Sequence, residues 1–323
     1  MAKKIGLVGI YFPGAYDTLH ENVPEGFELV DALSPEAYGN LADCEYLISR
    51  LDIDPDIINH TPRVKFWQRW GAGFDHVDLK AWGERGIPIA TCPGVNSGIV
   101  AELAIMLMLA GYRNLLQINR QLLEGHFPRT EYFGRSFMIK GKTVGVLGLG
   151  HIGKKVAALV TAFGANVIYY DILRQPDQEE KYGYRFVDFD TLLEQSDIFT
   201  VHCPLNEETR GMIGFEQFKK MKPSAMLINT ARGPIVNEAA MIDALTTGKI
   251  ATAGLDTYEH EPLPKDHPLL KLDNVVASAH AGGNTKDNDI NMVNYVYHNI
   301  VAFDRGEPLN TPGDIVNGEF LKK

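Results

Sequence analysis

Cysteine is scarce in this chain and shows no paired spacing. The three cysteines, Cys44, Cys92 and Cys203, are far apart in the sequence, which argues against a disulfide framework and favours a reducing compartment. We also expect no signal peptide, because the first apolar run stops at Pro13 and no small-residue cleavage site follows it. The sequence therefore predicts a cytoplasmic protein.

Long apolar runs and an excess of positive charge are missing as well. The longest apolar stretch, Ile99–Ala110, contains Glu102 and is shorter than the roughly 20 residues that a transmembrane helix needs, so we predict a buried helix. Lysine and arginine number 31 against 41 acidic residues, which gives a net charge of −10. This balance disfavours nucleic acid and anionic membranes as partners. We predict no metal site.

What the sequence does contain is a regular alternation of apolar runs and helical patterns. A length of 323 residues predicts two domains, and 45% hydrophobic residues can supply their cores. From Lys142 onward the apolar runs are short and do not alternate, as in parallel strands that are buried on both faces. The strands predicted there are Thr143–Leu147, Asn166–Tyr170, Asp197–Val201, Ala225–Asn229, Ala251–Leu255 and Asn274–Ser278.

The first hundred residues alternate in a similar way. Strands are predicted at Ile5–Val8, Tyr46–Ile48, Val64–Trp67 and Ile87–Ala90. A long helical stretch is predicted from about Gly98 to Leu123, and another helical pattern covers Asp289 to Phe303. The predicted fold class is α/β, with two Rossmann-like or flavodoxin-like doubly wound domains and a cleft between them.

A glycine-rich turn carries the most specific local signal. Gly148, Gly150 and Gly153 form G-x-G-x-x-G between a predicted strand and an amphipathic helix, the arrangement that lets backbone approach a pyrophosphate at a helix N-terminus. Asp171 ends the next strand, where a carboxylate would accept hydrogen bonds from ribose hydroxyls and repel the extra phosphate of NADP. NAD is therefore the expected cofactor, and NADP is less expected, although the nearby Arg174 leaves it open.

Polar and special residues also gather just beyond the carboxyl ends of the predicted strands. In open α/β sheets this edge is where ligands bind, so we predict that these residues line the cofactor site. They are Gly148, Gly150, Asp171, His202, Cys203, Pro204, Thr230, Ala231, Arg232, Asp256 and His280.

Three of the residues near this edge suit acid–base chemistry on an anionic substrate. Arg232 can grip a carboxylate through two hydrogen bonds, although a structural ion pair is the alternative. Glu261 can hold a histidine in its protonated form, or it can be an exposed acid like Glu259. His280 follows a predicted strand, and Gly282 would let backbone approach a cofactor there.

Taken together, these segments resemble the D-2-hydroxyacid dehydrogenase family, which includes relatives of D-lactate, glycerate, phosphoglycerate and formate dehydrogenases. The matching segments occur in family order through most of the chain. Besides the glycine turn they are Gly71–Asp75, Pro93–Asn96, Val100–Glu102, His202–Leu205, Asn229–Gly233, Gly254–Pro262 and His280–Gly283.

The resemblance implies roles that the residues alone do not assign. Arg232 would hold the substrate carboxylate and carbonyl, His280 would be the acid/base, and Glu261 its partner. Asp256 would bind the nicotinamide carboxamide. On the cofactor, backbone groups of His151 and Ile152 would contact the pyrophosphate, and the adenosine side would be lined by Cys203, Pro204 and Thr209. On the substrate, the backbone of Ala72 and Gly73 would contact the carboxylate, and Asn96 would lie near the path of the hydride.

The family also implies an organisation and a reaction. Residues 1–98 plus 284–323 would bind substrate, and residues 99–283 would bind NAD, with a dimerisation helix and arm over about 99–140 that makes a homodimer. The reaction would interconvert a small 2-keto acid and a D-2-hydroxy acid with NAD(H). The alternative is an NAD(H)-sensing, corepressor-like binding protein of the same fold, and a third hypothesis is oxidation of a simpler anion such as formate.

Some positions depart from the family pattern. Ala279 stands where many relatives have proline, and Asp75-His76 replaces a common Asp-Asn pair. Trp67, Arg69 and Trp70 predict a bulky and cationic approach to the substrate loop. Arg69 would either contact a second acidic group of the substrate or face water. These departures leave the identity of the substrate open.

Overall fold

The computed structural model describes residues 2–50, 53–74 and 77–321. Asp75 and His76, which differ from the family pattern, lie outside the described residues. The chain divides into two compact units: unit 1 is Met1–Asn96 with Asn284–Lys323, and unit 2 is Ser97–Gly283.

The elements are numbered along the chain. The strands are β1 (Lys3–Gly9), β2 (Phe27–Ala32), β3 (Tyr46–Arg50), β4 (Phe66–Arg69), β5 (Ile89–Ala90), β6 (Thr143–Leu147), β7 (Asn166–Tyr170), β8 (Arg185–Phe186), β9 (Ile198–Val201), β10 (Met226–Asn229), β11 (Thr252–Leu255) and β12 (Val275–Ala277). The helices are α1 (Pro13–Glu21), α2 (Leu79–Glu84), α3 (Ser97–Tyr112), α4 (Leu115–Leu123), α5 (His151–Ala162), α6 (Pro176–Tyr182), α7 (Phe189–Gln195), α8 (Phe215–Lys220), α9 (Glu238–Thr246) and α10 (Lys286–Arg305).

Unit 1 is built on a five-stranded parallel sheet in the order β2-β1-β3-β4-β5. This is the flavodoxin-like order of doubly wound folds. The C-terminal helix α10 belongs to this unit and packs its apolar face on the sheet. Val296 and Ile300 are fully buried there, and Phe303 stacks on Phe66 with ring centroids 4.5 Å apart.

Unit 2 contains a seven-stranded parallel sheet in the order β12-β11-β10-β9-β6-β7-β8. It is the Rossmann strand order with one further strand at the β12 edge. The order of the chain reverses between β6 and β9, and ligands of such sheets bind outside the carboxyl ends of the strands at this switch point. The glycine turn after β6 lies at that place.

The predicted α/β class with two doubly wound units is confirmed. Each strand predicted after Lys142 is present within one residue at either end. The helical stretch predicted from Gly98 to Leu123 is present as two helices, α3 and α4, which meet at a bend of 62°. Asn114 causes the break, since it adopts a left-handed backbone (φ 50°) that an α-helix cannot contain.

Two strands are missing from the predictions, the edge strands β2 and β8. As for membranes, no single helix among the described residues is long and apolar enough to cross one, and α3 with α4 reach that length and composition only as a bent pair.

Candidate active site

The three glycines of the turn after β6 serve different purposes. Gly148 has a φ of +91°, and a Cβ there would come within 2.7 Å of the backbone nitrogen of Cys203. A Cβ on Gly153 would lie 2.0 Å from the carbonyl oxygen of Gly148, so this glycine lets α5 pack against the turn. Gly150 is exposed and has nothing within 4 Å of its Cβ position. The first and third glycines are thus required by packing, whereas the second leaves open space for a ligand.

Helix α5 begins at this open space without a side-chain cap. Gly150 is the N-cap residue, and His151 and Ile152 form the first turn. The first backbone N–H groups of an α-helix have no partner within the helix, and they carry the positive end of its dipole. The end of α5 therefore suits a phosphate group, as the sequence predicts for His151 and Ile152.

Asp171 follows β7 beside the glycine turn and organises it. Its Oδ2 accepts a hydrogen bond from the Leu149 N–H at 2.6 Å, and its Oδ1 accepts one from the Leu173 N–H at 3.0 Å. A carboxylate has about four lone-pair sites, so capacity remains for ribose hydroxyls. The next side chain, Ile172, is 85% exposed and Leu173 is 66% exposed, which places apolar surface beside the carboxylate.

Three buried polar atoms at the carboxyl ends of neighbouring strands lack a hydrogen-bond partner among the described residues. They are His202 Nδ1 after β9, Thr230 Oγ1 after β10 and Thr257 Oγ1 after β11. Burial lowers the pKa of His202 to about 3, so its imidazole is neutral. Buried polar groups in native proteins are nearly always hydrogen-bonded, so these atoms fit a polar ligand such as a dinucleotide. Thr257 is absent from the sequence predictions.

The loop after β9 holds the other residues predicted for the adenosine side. The Thr209 hydroxyl donates to the Pro204 carbonyl at 2.7 Å and accepts from the Asn206 N–H at 2.8 Å, so it closes this loop. Cys203 is half-buried, and burial raises the pKa of its thiol to about 11. The thiol is therefore protonated at neutral pH, and cofactor contacts of these residues stay predictions.

His280 and Glu261 form a hydrogen-bonded pair. His280 Nδ1 lies 2.7 Å from Glu261 Oε2, and Glu261 Oε1 accepts a hydrogen bond from the Tyr258 N–H at 3.0 Å. Burial raises the pKa of Glu261, but the hydrogen bonds from His280 and Tyr258 outweigh it and leave that pKa below its ordinary value. The carboxylate is therefore ionised at neutral pH, and it can accept a hydrogen bond from the imidazole of His280.

The backbone of His280 is held in a left-handed conformation, with a φ of +50°. Asp256, which is 1% exposed, accepts hydrogen bonds from three consecutive N–H groups. Its carbonyl accepts from His280 at 2.8 Å, and its two carboxylate oxygens accept from Ala281 and Gly282 at 2.9 Å each. The structure thus gives Asp256 a positioning role that the sequence does not indicate, and its predicted nicotinamide contact stays a prediction.

The Arg232 loop after β10 packs directly on the segment that carries Glu261. Asn229 at the end of β10 donates to the Arg232 carbonyl at 2.9 Å and accepts from the Ala231 N–H at 3.1 Å. A Cβ on Gly233 would lie 1.9 Å from the Tyr258 carbonyl carbon, so only glycine allows this approach. The positive charge of Arg232 also contributes to lowering the pKa of Glu261. Unit 2 therefore brings Arg232, Glu261 and His280 together.

The predicted substrate residues of unit 1 lie near the carboxyl ends of its strands. Ala72 is exposed and Gly73 half-buried in the loop after β4, in which Gly71 has a φ of +117°. Asn96 is half-buried before α3. Their contacts with a substrate stay predictions.

The aromatic and cationic side chains around β4 differ from the prediction. Trp67 is 2% exposed and packs against the tilted ring of Trp82, with ring centroids 4.6 Å apart, so it belongs to the core of unit 1. Arg69 is 8% exposed and donates to Ser49 Oγ at 3.2 Å and to the Gly73 carbonyl at 3.5 Å. The water-facing alternative for Arg69 is therefore wrong, because the side chain turns inward to support the loop.

Comparison with known proteins shows which family the chain resembles. The family profile described as D-isomer specific 2-hydroxyacid dehydrogenase, NAD binding domain, matches residues 105–282. The chain is 38% identical to a glyoxylate reductase of Korarchaeum cryptofilum over 87% of this chain and 85% of that protein. It is 42% identical to a D-3-phosphoglycerate dehydrogenase of Archaeoglobus fulgidus over 81% of this chain, which spans only 49% of that longer protein.

A solved structure shows the same relationship at the level of the fold. D-lactate dehydrogenase with NAD⁺ from Lactobacillus jensenii superposes with a TM-score of 0.80 at 29% identity, over 97% of this chain and 99% of that one. These matches confirm the resemblance noted in the sequence. The chain belongs to the D-isomer-specific 2-hydroxyacid dehydrogenase family, and its activity is that of an NAD-dependent 2-hydroxyacid oxidoreductase.

Proposed function

We propose that the protein reduces a small 2-keto acid to the D-2-hydroxy acid with NADH, reversibly, with His280 as the acid/base. The observation that carries this proposal is the 2.7 Å pair of His280 and Glu261 beside Arg232, at the carboxyl edge of the unit 2 sheet. A protonatable imidazole with an ionised partner next to a guanidinium suits proton donation to the carbonyl of an anionic substrate.

The same edge would hold NAD(H) in preference to NADP(H). The uncapped start of α5 would bind the pyrophosphate, and Asp171 would accept from ribose hydroxyls while repelling a 2′-phosphate. The three buried polar atoms at this edge that lack a hydrogen-bond partner among the described residues would face the cofactor; they are His202 Nδ1, Thr230 Oγ1 and Thr257 Oγ1. When bound, NADH supplies the hydride, and the protein supplies orientation and electrostatics.

Arg232 and His280 would divide the work on the keto acid. The planar guanidinium of Arg232 would bind the carboxylate through two hydrogen bonds and polarise the neighbouring carbonyl. His280 would donate its proton to the carbonyl oxygen, and Glu261 would stabilise the imidazolium before that transfer. Ala72, Gly73 and Asn96 remain the proposed substrate contacts of unit 1.

Replacing Glu261 with glutamine is expected to shift the pH profile of keto-acid reduction. The ionised Glu261 favours the imidazolium that the reaction consumes, and a neutral amide would not. As pH rises, kcat/KM for the keto acid should therefore begin to fall at a lower pH in the variant than in the wild type. Initial rates with NADH across a pH series would measure this shift.

Glu259 provides a matched control for that experiment. It lies two residues away in the same loop, and its side chain is exposed. Glu259→Gln removes the same charge, but it should leave the pH profile in place. Equal shifts in the two variants would contradict the assigned pairing.

A panel of 2-keto acids, beginning with glyoxylate, pyruvate and hydroxypyruvate, tests the proposed function directly. Each acid is assayed with NADH and with NADPH, and the chirality of the product is determined. We expect NADH-dependent reduction of at least one acid to the D product. Tight NADH binding without turnover of any acid would instead favour the NAD(H)-sensing, corepressor-like function.

We also propose that the protein forms a homodimer through α4 and the arm that follows it. Large apolar side chains are exposed on this segment, with Leu123 81%, Phe127 79% and Phe133 90% exposed. Such a concentration of exposed apolar surface is typical of an interaction site. Light scattering should give the mass of a dimer, and replacing Phe127 and Phe133 with serine should give that of a monomer.

A further inference from the structure

Arg174 lies three residues after Asp171, the residue that we expect to bind the adenosine ribose, whose 2′-hydroxyl carries the extra phosphate in NADP. A guanidinium at this place would offset the charge of Asp171 and could bind that phosphate through its planar donors. Its orientation therefore decides whether the site repels or accepts NADP(H).

The structure shows Arg174 bound to Glu179 of helix α6. Arg174 Nε donates to Glu179 Oε1 and Nη2 donates to Oε2, each at 2.8 Å, which is the paired geometry of a guanidinium and a carboxylate. The guanidinium also lies 5.7 Å from the centre of the Phe186 ring. Two of its donors are thus directed toward α6.

Glu179 is itself anchored from the core. The hydroxyl of the fully buried Tyr169 on β7 donates to Glu179 Oε1 at 2.8 Å and accepts from the Gln175 N–H at 2.8 Å. The hydrogen bonds from Arg174 and Tyr169 lower the pKa of Glu179 to about 2. The carboxylate is therefore ionised at every pH at which the enzyme is assayed, and the hydrogen bond from the buried Tyr169 hydroxyl fixes its position.

We propose that Glu179 is a positioning residue for cofactor selectivity, which holds Arg174 away from the ribose and so enforces NAD(H) over NADP(H). The proposal rests on the proposed function and deepens it. Glu179 acts by occupying two donors of Arg174, which would otherwise be available to a 2′-phosphate.

The test is the ratio of the dissociation constants of NADPH and NADH, measured by fluorescence titration without substrate. Glu179→Gln removes the charge but keeps an acceptor for Tyr169, and it should improve NADPH binding relative to NADH on the order of tenfold. Glu180→Gln is the matched control, because Glu180 is the exposed acid next to it on α6 and should leave the ratio unchanged.

The double variant Glu179→Gln with Arg174→Gln tests whether the gain in NADPH binding depends on Arg174. If Arg174 carries the gain, the double variant should return to the wild-type ratio. A gain that persists without Arg174, or no gain in a folded Glu179→Gln protein, would overturn the proposal.

Arg174→Gln alone covers the case in which Glu179→Gln fails to fold. Since Arg174 is held by Glu179, this exposed substitution should leave the NADPH to NADH ratio unchanged. A weaker NADPH affinity in this variant would show that Arg174 already contacts the phosphate, and it would overturn the proposal. None of these titrations requires turnover, so their results can be interpreted even if the protein reduces no 2-keto acid.

Discussion

Replacing His280 with asparagine is expected to lower kcat for keto-acid reduction by roughly 10²- to 10⁴-fold, which is the usual contribution of a positioned acid/base. The dissociation constant of NADH should change little, because the pyrophosphate and ribose contacts proposed for the cofactor lie at α5 and Asp171. Steady-state rates with saturating keto acid give kcat, and fluorescence titration gives the affinity for NADH.

Asparagine is chosen because of the backbone at this position. His280 has a φ of +50°, and asparagine adopts left-handed conformations more readily than other residues except glycine. The three N–H groups that donate hydrogen bonds to Asp256 would therefore stay in place, and only the imidazole would be lost. His260→Asn, at an exposed position of the Glu261 loop, is the control and should keep full activity. A wild-type kcat in the His280→Asn variant would contradict the assignment of His280 as the acid/base.

The strands of unit 2 could be predicted from the sequence because their burial leaves a clear signal. β9 and β10 are buried at every residue, so each is a mostly apolar run that lacks the regular polar alternation of a half-exposed strand. The missed strands lie at sheet edges. β8 has only two residues, and β2 is mostly half-buried, so neither gives a run of that kind.

The location of the candidate site was also predictable, but the hydrogen bonds that position its residues were not. The glycine spacing and the strand ends indicate where a ligand binds, since parallel strands share one carboxyl edge. The role of Asp256 depends on a loop 25 residues later in the chain, which folds its N–H groups onto that carboxylate. The pairing of Arg174 with Glu179 likewise requires the position of α6. No periodicity or local spacing carries such information.

Arg69 shows a different limit of sequence reasoning. A cation at the end of a strand can face water or turn inward, and the residue types around it are the same in both cases. The side chain of Arg69 is only 8% exposed, so it points inward, and it donates to Ser49 Oγ and to the Gly73 carbonyl. Tertiary packing therefore determines what the residue does.

Replacing Arg232 with lysine is expected to reduce kcat/KM for the keto acid by roughly 10- to 100-fold, while the affinity for NADH stays the same. Lysine keeps the positive charge but is a point donor, so it loses the paired geometry with a carboxylate. One hydrogen bond to a charged group is worth about 1.5–3 kcal/mol, which corresponds to that loss in rate. Steady-state kinetics at varied keto acid measure the effect. Arg210→Lys, at an exposed arginine of unit 2, should have none.

The same variant separates two roles of Arg232. Its charge contributes to the low pKa of Glu261, and lysine preserves that charge, so the pH profile should stay in place even as kcat/KM falls. Glu261→Gln should do the reverse and move the profile. If Arg232→Lys also shifts the profile, Arg232 acts mainly through Glu261 and the proposed grip on the substrate carboxylate is wrong. A fall in kcat/KM at an unchanged profile instead supports direct binding of the keto acid by the guanidinium.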